Sequence, residues 1–115
     1  MKISFDFDET LDHICVQKFA KELIERGIDV HVVTNNHVEY YVLETTNELN
    51  IPKNNVHFLG YTKKYIYFAN NSDYIFHLDN DYQDVDEINS FTNVIGVLFD
   101  EKWKETCLKI LHDNL

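Results

Sequence analysis

Two aspartates two residues apart, Asp6 and Asp8, end the apolar run Ile3-Ser4-Phe5 and stand just before Glu9 and Thr10. Side chains alternate along a strand, so Asp6 and Asp8 point the same way where the strand runs out. Carboxylates that close repel, and one has its pKa raised unless a cation lies between them. A hard, oxygen-seeking ion such as Mg²⁺ suits the pair, because it takes one or two carboxylates and leaves room for a substrate phosphate. Thr10 adds a short hydroxyl that can tie the turn together. In a chain with 20 Asp and Glu among 115 residues, the same stretch also reads as an acidic loop. Its partners decide between the two.

Three other apolar runs end in polar groups. Val32-Val33 leads into Thr34-Asn35-Asn36, where a hydroxyl and free N–H groups before a helix either hold a phosphate or cap that helix. Phe58-Leu59-Gly60 leads into Tyr61-Thr62-Lys63-Lys64, and a lysine there either neutralises a phosphoryl group or simply meets water. His77-Leu78 leads into Asp79-Asn80-Asp81, with Asp84, Asp86 and Glu87 close behind. These acids either extend a Mg²⁺ site or cap the next helix and complement its dipole. His77 reads as a core or groove histidine. The other histidines (13, 31, 37, 57 and 112) lack metal-ligand spacing, and no GxSxG elbow or P-loop is present.

The elements that must hold these groups alternate from end to end. Lys2–Phe7 reads as the first strand. Val16, Phe19, Ala20, Leu23 and Ile24 follow helical spacing, with Asp12 as N-cap and Gly27 as stop. Ile28–Thr34 is the second strand. Val38, Tyr41, Val42, Thr45 and Leu49 mark a helix closed by Asn50 and Pro52. Val56–Leu59 is the third strand, followed by a short helix from Lys63 to Asn70-Asn71-Ser72. Tyr74–Leu78 is the fourth strand, Asp84–Ser90 a helix and Val94–Phe99 the fifth strand. Trp103, Cys107, Ile110 and Leu111 carry the last helix. This pattern predicts one α/β domain over residues 1–115: a doubly wound, three-layer fold with a five-stranded, mostly parallel sheet. Ligands are then expected beyond the C-terminal strand ends, at a switch in strand order.

Composition narrows the function classes. Hydrophobic residues make up 44% and aromatics 14%, enough for a packed core. A net charge of −10 argues against a general nucleic-acid or membrane-surface binder. It permits an anionic substrate where a metal reverses the local sign. Cys15 and Cys107 form neither a disulfide framework nor a zinc signature, and both are expected to sit in helices as small buried hydrophobes. With no leader peptide or membrane-spanning run in view, a cytoplasmic protein is expected.

Taken in order, Ile3–Leu11 (ISFDFDETL), Thr34-Asn35, Lys63 or Lys64, and Asp79 resemble the motifs of the haloacid dehalogenase-like superfamily of phosphotransferases. The resemblance runs from Phe5 to about Val85. It implies a Rossmann-like fold and a phosphatase in which Asp6 attacks phosphorus while Asp8 acts as general acid and base. It also implies a Mg²⁺ held by Asp6, the Asp8 carbonyl and either Asp79, Asn80 or Asp84. Phosphate would be bound by Thr34, Asn35 and one lysine, Lys63 being favoured. Glu9 departs from the pattern, standing where many members have Gly. Asp8 to Thr34 and Thr34 to Lys63 each leave room for one helix and one strand, so no cap domain is expected. An open site of this kind suits a large substrate, or a homo-oligomer or partner that completes it.

A phosphorylated small molecule is the expected substrate, with a polynucleotide end (3′ or 5′) or a nucleotide of the kind a nucleotidase cleaves as the alternative. Two further alternatives are a catalytically silent binding module and a receiver-like phospho-accepting domain. The latter lacks its Asp after the third strand, where Leu59-Gly60 stand.

Overall fold

Residues 1–115 are all described by the structure, a computed structural model. The apolar, β-branched runs form strands β1 (Lys2–Phe5), β2 (Asp29–Thr34), β3 (Val56–Phe58), β4 (Phe76–Asp79) and β5 (Ile95–Leu98). Helices α1 (Ile14–Glu25), α2 (Glu39–Glu48), α3 (Lys64–Asn70), α4 (Tyr82–Phe91) and α5 (Trp103–Asp113) alternate with them. Two helix ends follow directly from sequence. Gly27 adopts φ +79°, and Ile28 N donates to Leu23 O at 3.0 Å while Gly27 N donates to Ile24 O at 2.9 Å. That is the pair of bonds a left-handed residue provides after a helix. Asn50 does the same for α2 with φ +61°, and Ile51 N reaches Thr46 O at 2.9 Å.

All strand pairs are parallel, in the order β3-β2-β1-β4-β5. One α-helix and one short helical turn fill each crossover from β1 to β3, so no domain is inserted there. The order is the Rossmann-type half rather than the 2-1-3-4-5 order of receiver-like folds, which removes the receiver alternative. Period-2 alternation divides the buried strand residues between the two faces of the sheet. Ile3, Phe5, Val30, Val32, Phe76 and Leu78 face one layer and join Val16, Phe19, Leu23 and Leu111 in the main core. A smaller cluster of Val33, Phe68, Tyr74, Ile88 and Val94 lies under α3 and α4. Each fully buried large apolar side chain contributes roughly 1.5–3 kcal/mol. Ser4, His31 and His77 alternate with the main-core residues and are buried on the other side.

Several expectations are corrected. β1 stops at Phe5, so Asp6 and Asp8 lie in the following turn rather than on a strand. α1 begins one residue later than a cap at Asp12 requires: His13 holds the N-cap position and makes no side-chain cap bond. β4 runs Phe76–Asp79 rather than Tyr74–Leu78, and α4 starts earlier, capped by Asp81. Cys107 is buried as expected, but Cys15 is exposed in the first turn of α1. No helix is long and apolar enough to cross a membrane.

Candidate functional site

Strand order switches direction between β1 and β4, and Asp6 and Asp79 stand at the ends of those two strands. The seam is closed by Asp6 N donating to Leu78 O at 2.9 Å. After Asp6 the chain makes a wide turn, with Leu11 N reaching Asp6 O at 3.1 Å and Asp12 N reaching Phe7 O at 3.2 Å. Glu9 takes φ +56°, a left-handed conformation that glycine adopts without steric cost. Thr10 does not tie this turn: its hydroxyl is buried and has no partner. Backbone bonds hold the turn instead.

Lys64 links the two strand ends. Its Nζ donates to Asp6 Oδ1 at 2.7 Å and to Asp79 Oδ2 at 2.6 Å, and Asp84 Oδ2 lies 3.8 Å away. Lys63, the favoured lysine, is instead half exposed and lies 3.6 Å from Glu87. Lys63 is the N-cap residue of α3 and Lys64 its first helical residue, so their side chains diverge. Only Lys64 reaches back across the strand ends.

Behind Asp79 stands His77. A carboxylate only accepts, so His77 Nε2–H donates to Asp79 Oδ2 at 2.8 Å, and His77 Nδ1 accepts from the Ser4 hydroxyl at 2.8 Å. Ser4 and His77 are register partners across β1 and β4. Complete burial pushes the His77 pKa down, against the pull of Asp79, and holds the ring neutral. Ser-His-Asp in this order is the atom sequence of a hydrolytic triad, but Ser4 is fully buried in mid-sheet and cannot meet a substrate. The trio is a support for Asp79.

One ammonium now serves two buried carboxylates, and their surroundings divide them. Burial works to raise Asp79, but His77 and Lys64 hold it well below the usual carboxylate range. Asp81 N adds a bond to Asp79 Oδ1 at 2.9 Å. Burial raises Asp6 from 3.8 to about 7, with the charge of Asp79 adding to the rise and Lys64 opposing it. Burial also works against the charge of Lys64, but the two aspartates outweigh it and keep the amine protonated. Asp84 is raised as well, chiefly by burial.

The Asn80 carboxamide meets Asp6 Oδ2 and the Asp8 carbonyl oxygen at 3.1 and 3.2 Å. With its nitrogen inward it donates to both. With its oxygen inward, three oxygens converge from one carboxylate, one peptide and one amide. That set matches the chemistry of a small hard cation, for which mixed oxygen donors are the rule. Among His, Cys, Asp and Glu alone no group of three is arranged for a metal. Asp79, also expected as a ligand, has both carboxylate oxygens engaged already.

The loop after β2 completes the site. Asn35 Nδ2 donates to Gly60 O and Thr62 O, both at 2.9 Å, and so pins the loop after β3. Asn36 Nδ2 donates to both Asp8 carboxylate oxygens, at 2.9 and 3.0 Å, while its Oδ1 accepts from Val38 N at 2.7 Å. Thr34 is fully buried, its hydroxyl accepting from Asn36 N at 3.0 Å, and it shapes the loop from beneath rather than lining the cleft.

The resulting cleft holds about 550 Å³ and has no hydrophobic wall. Asp6, Asp8, Glu9, Asp12, Asp79, Asp81 and Asp84 line it against the single cation of Lys64, with Asn35, Asn36 and Asn80 between them. Asp6, Asp8, Asn35, Lys64, Asp79, Asn80 and Asp84 are thus brought together as sequence motifs suggested, while Thr34 and Lys63 lie outside the cleft wall. Asn36, Ser4 and His77 were not anticipated as site residues. Alternation along β4 was the available sign for His77, because it shares a face with Asp79. A His31–His57 hydrogen bond of 2.9 Å, on strands that sequence spacing could not pair, lies away from this cleft.

No protein-family model and no curated protein matches this chain. Among solved structures, an uncharacterized protein from Corynebacterium glutamicum is similar, with a TM-score of 0.71 over 96% of this chain and 94% of that one. Sequence identity is 11%, so the likeness is one of fold.

Proposed function

We propose that the chain is a Mg²⁺-dependent phosphomonoester hydrolase of the haloacid dehalogenase-like type, acting through an aspartyl-phosphate on Asp6. The observation that carries this reading is the division of Asp6: Oδ1 is held by Lys64, while Oδ2 faces the Asn80 amide and the Asp8 carbonyl. In this reading one oxygen attacks and the other meets the cation. Bound there, Mg²⁺ would supply positive charge for the phosphoryl oxygens in a cleft otherwise lined by carboxylates.

The remaining steps use the chain's own groups. Asp6 Oδ1 attacks phosphorus, forming a P–O bond to the carboxylate as the ester P–O bond breaks. Asp8, oriented by Asn36, gives its proton to the leaving alkoxide oxygen. The Asp8 carboxylate then takes a proton from water as that water attacks phosphorus, the acyl-phosphate bond breaks, and phosphate and free Asp6 result. Lys64 Nζ lowers the repulsion between Asp6 and the incoming dianion. Asp79, fixed by His77, keeps Lys64 in place. Asn35 lines the cleft ahead of α2, where its backbone N–H would meet a phosphoryl oxygen.

Hydrolysis of an aryl phosphate with Mg²⁺ and with EDTA, beside Asp6→Asn, tests this. Metal-dependent turnover lost in the variant is expected. Full turnover by Asp6→Asn would overturn the mechanism.

A further inference from the structure

The main cleft is lined by no hydrophobic residue, so it offers no apolar surface to the organic part of an ester. Beside it lies a second hollow of about 270 Å³ that shares Asn35 and Asp84 with the cleft and is lined by His37, Tyr61 and Lys63. Tyr61 is 95% exposed, and its ring lies 5.0 Å from that of His37, tilted by 49°. The backbone that carries each ring is held in place. Gly60 takes φ +61° and turns the chain outward just before Tyr61. Asn35 grips the carbonyls on either side of Tyr61, those of Gly60 and Thr62, so the ring's carrier is fixed to the cleft wall. His37 follows Asn36, which is itself bound to Asp8 and to Val38 N. Lys63 adds a cation on this side, whereas Glu9, Asp12 and Asp81 line the cleft with negative charge.

We propose that the Tyr61–His37 ledge stacks on the planar base carried by the leaving alcohol, which makes the preferred substrate a nucleoside monophosphate rather than an alkyl phosphate or a sugar phosphate without a base. This rests on the phosphomonoesterase reading and specifies its substrate class. A base stacks on any exposed aromatic face, and Tyr61 presents one that no side chain covers beyond the edge of His37. Lys63 steers the anionic ester to this rim. The chain's net charge of −10 favours a mononucleotide over a longer nucleic-acid strand.

The test compares KM for a nucleoside 5′-monophosphate with KM for ribose 5-phosphate, which differ only in the base, using the wild type, Tyr61→Ala and Tyr61→Phe with Mg²⁺. Tyr61 is on the surface, so the variants are expected to fold. The nucleotide should have a KM lower by about five-fold or more, the low end of a base–aromatic contact. Tyr61→Ala should remove that ratio and Tyr61→Phe should keep it. Equal KM values in the wild type, or a ratio indifferent to Tyr61→Ala, would overturn the ledge while leaving the phosphatase reading intact. Turnover of an aryl phosphate but of neither ester would do the same. No turnover of any phosphomonoester would overturn both.

Discussion

His77 and Asp79 stand two residues apart on one face of β4, joined by a 2.8 Å hydrogen bond at complete burial. Through that bond the sheet interior reaches the cleft: Ser4 orients His77, His77 orients Asp79, and Asp79 orients Lys64 against Asp6. Replacing His77 by Leu removes a donor from a buried ionised carboxylate. A loss of about 2–3 kcal/mol in stability is expected, with a lower urea midpoint. Ser4→Ala should lose less, about 1 kcal/mol, because the group it leaves without a partner is a neutral ring nitrogen. Equal stability of His77→Leu and the wild type would contradict the arrangement.

Lys64 neutralises two buried carboxylates, whereas half-exposed Lys63 only lies 3.6 Å from the partly buried Glu87. Lys64→Met should therefore cost about 3–5 kcal/mol, the usual penalty for stranding a buried charge. Lys63→Met should cost no more than about 1 kcal/mol, the range of a half-exposed ion pair. Denaturant melts of the two variants decide between the lysines independently of any activity.

Asp6 gives a pH dependence of defined sign. Its carboxyl is raised from 3.8 to about 7 by burial and by Asp79, so the folded state holds its proton more tightly than the unfolded chain. Without divalent cation, this group's contribution to stability is greatest below pH 4 and declines as pH rises to about 7. Asp6→Asn removes the decline and keeps an acceptor for Lys64. The variant should melt higher than the wild type at pH 8, by an amount bounded at about 4 kcal/mol, and the gap should close near pH 4. A gap that widens on acidification would contradict it.

Glu9 occupies a left-handed backbone conformation at φ +56°, where a side chain costs about 1 kcal/mol. It also adds a negative charge to the cleft. Glu9→Gly is expected to be neutral or to stabilise by up to about 1 kcal/mol, read as a higher thermal midpoint. A clear loss would show that Glu9 makes interactions that outweigh the strain.

Much of this was legible in the residues because each local signal had one physical solution. Gly27 and Asn50 stop helices by turning left-handed, and five apolar runs between helix-period segments leave little besides a parallel sheet. Asp6 and Asp8 were legible as a pair, although the strand-alternation argument for them failed. β1 ends at Phe5, and the turn with Glu9 at its bend places them instead. Choosing Lys64 over Lys63 required the phase of α3, which a one-residue ambiguity in its start hides. His77 looked like core because it is core; its polar role depends on Ser4, a neighbour only through the β1–β4 pairing. Thr34 reads in sequence as a phosphate-binding hydroxyl or a helix cap, whereas its place at the end of a strand buried on both faces puts it under the loop.

The central claim is a covalent phosphate on Asp6. Acid-quenching the protein during turnover with Mg²⁺ and reducing the acyl-phosphate with borohydride converts the phosphorylated aspartate to homoserine, which peptide mass spectrometry locates. Homoserine at Asp6, absent when EDTA is added or substrate omitted, is the result the account predicts. Homoserine at another aspartate, or steady turnover with Asp6 never modified, would contradict it.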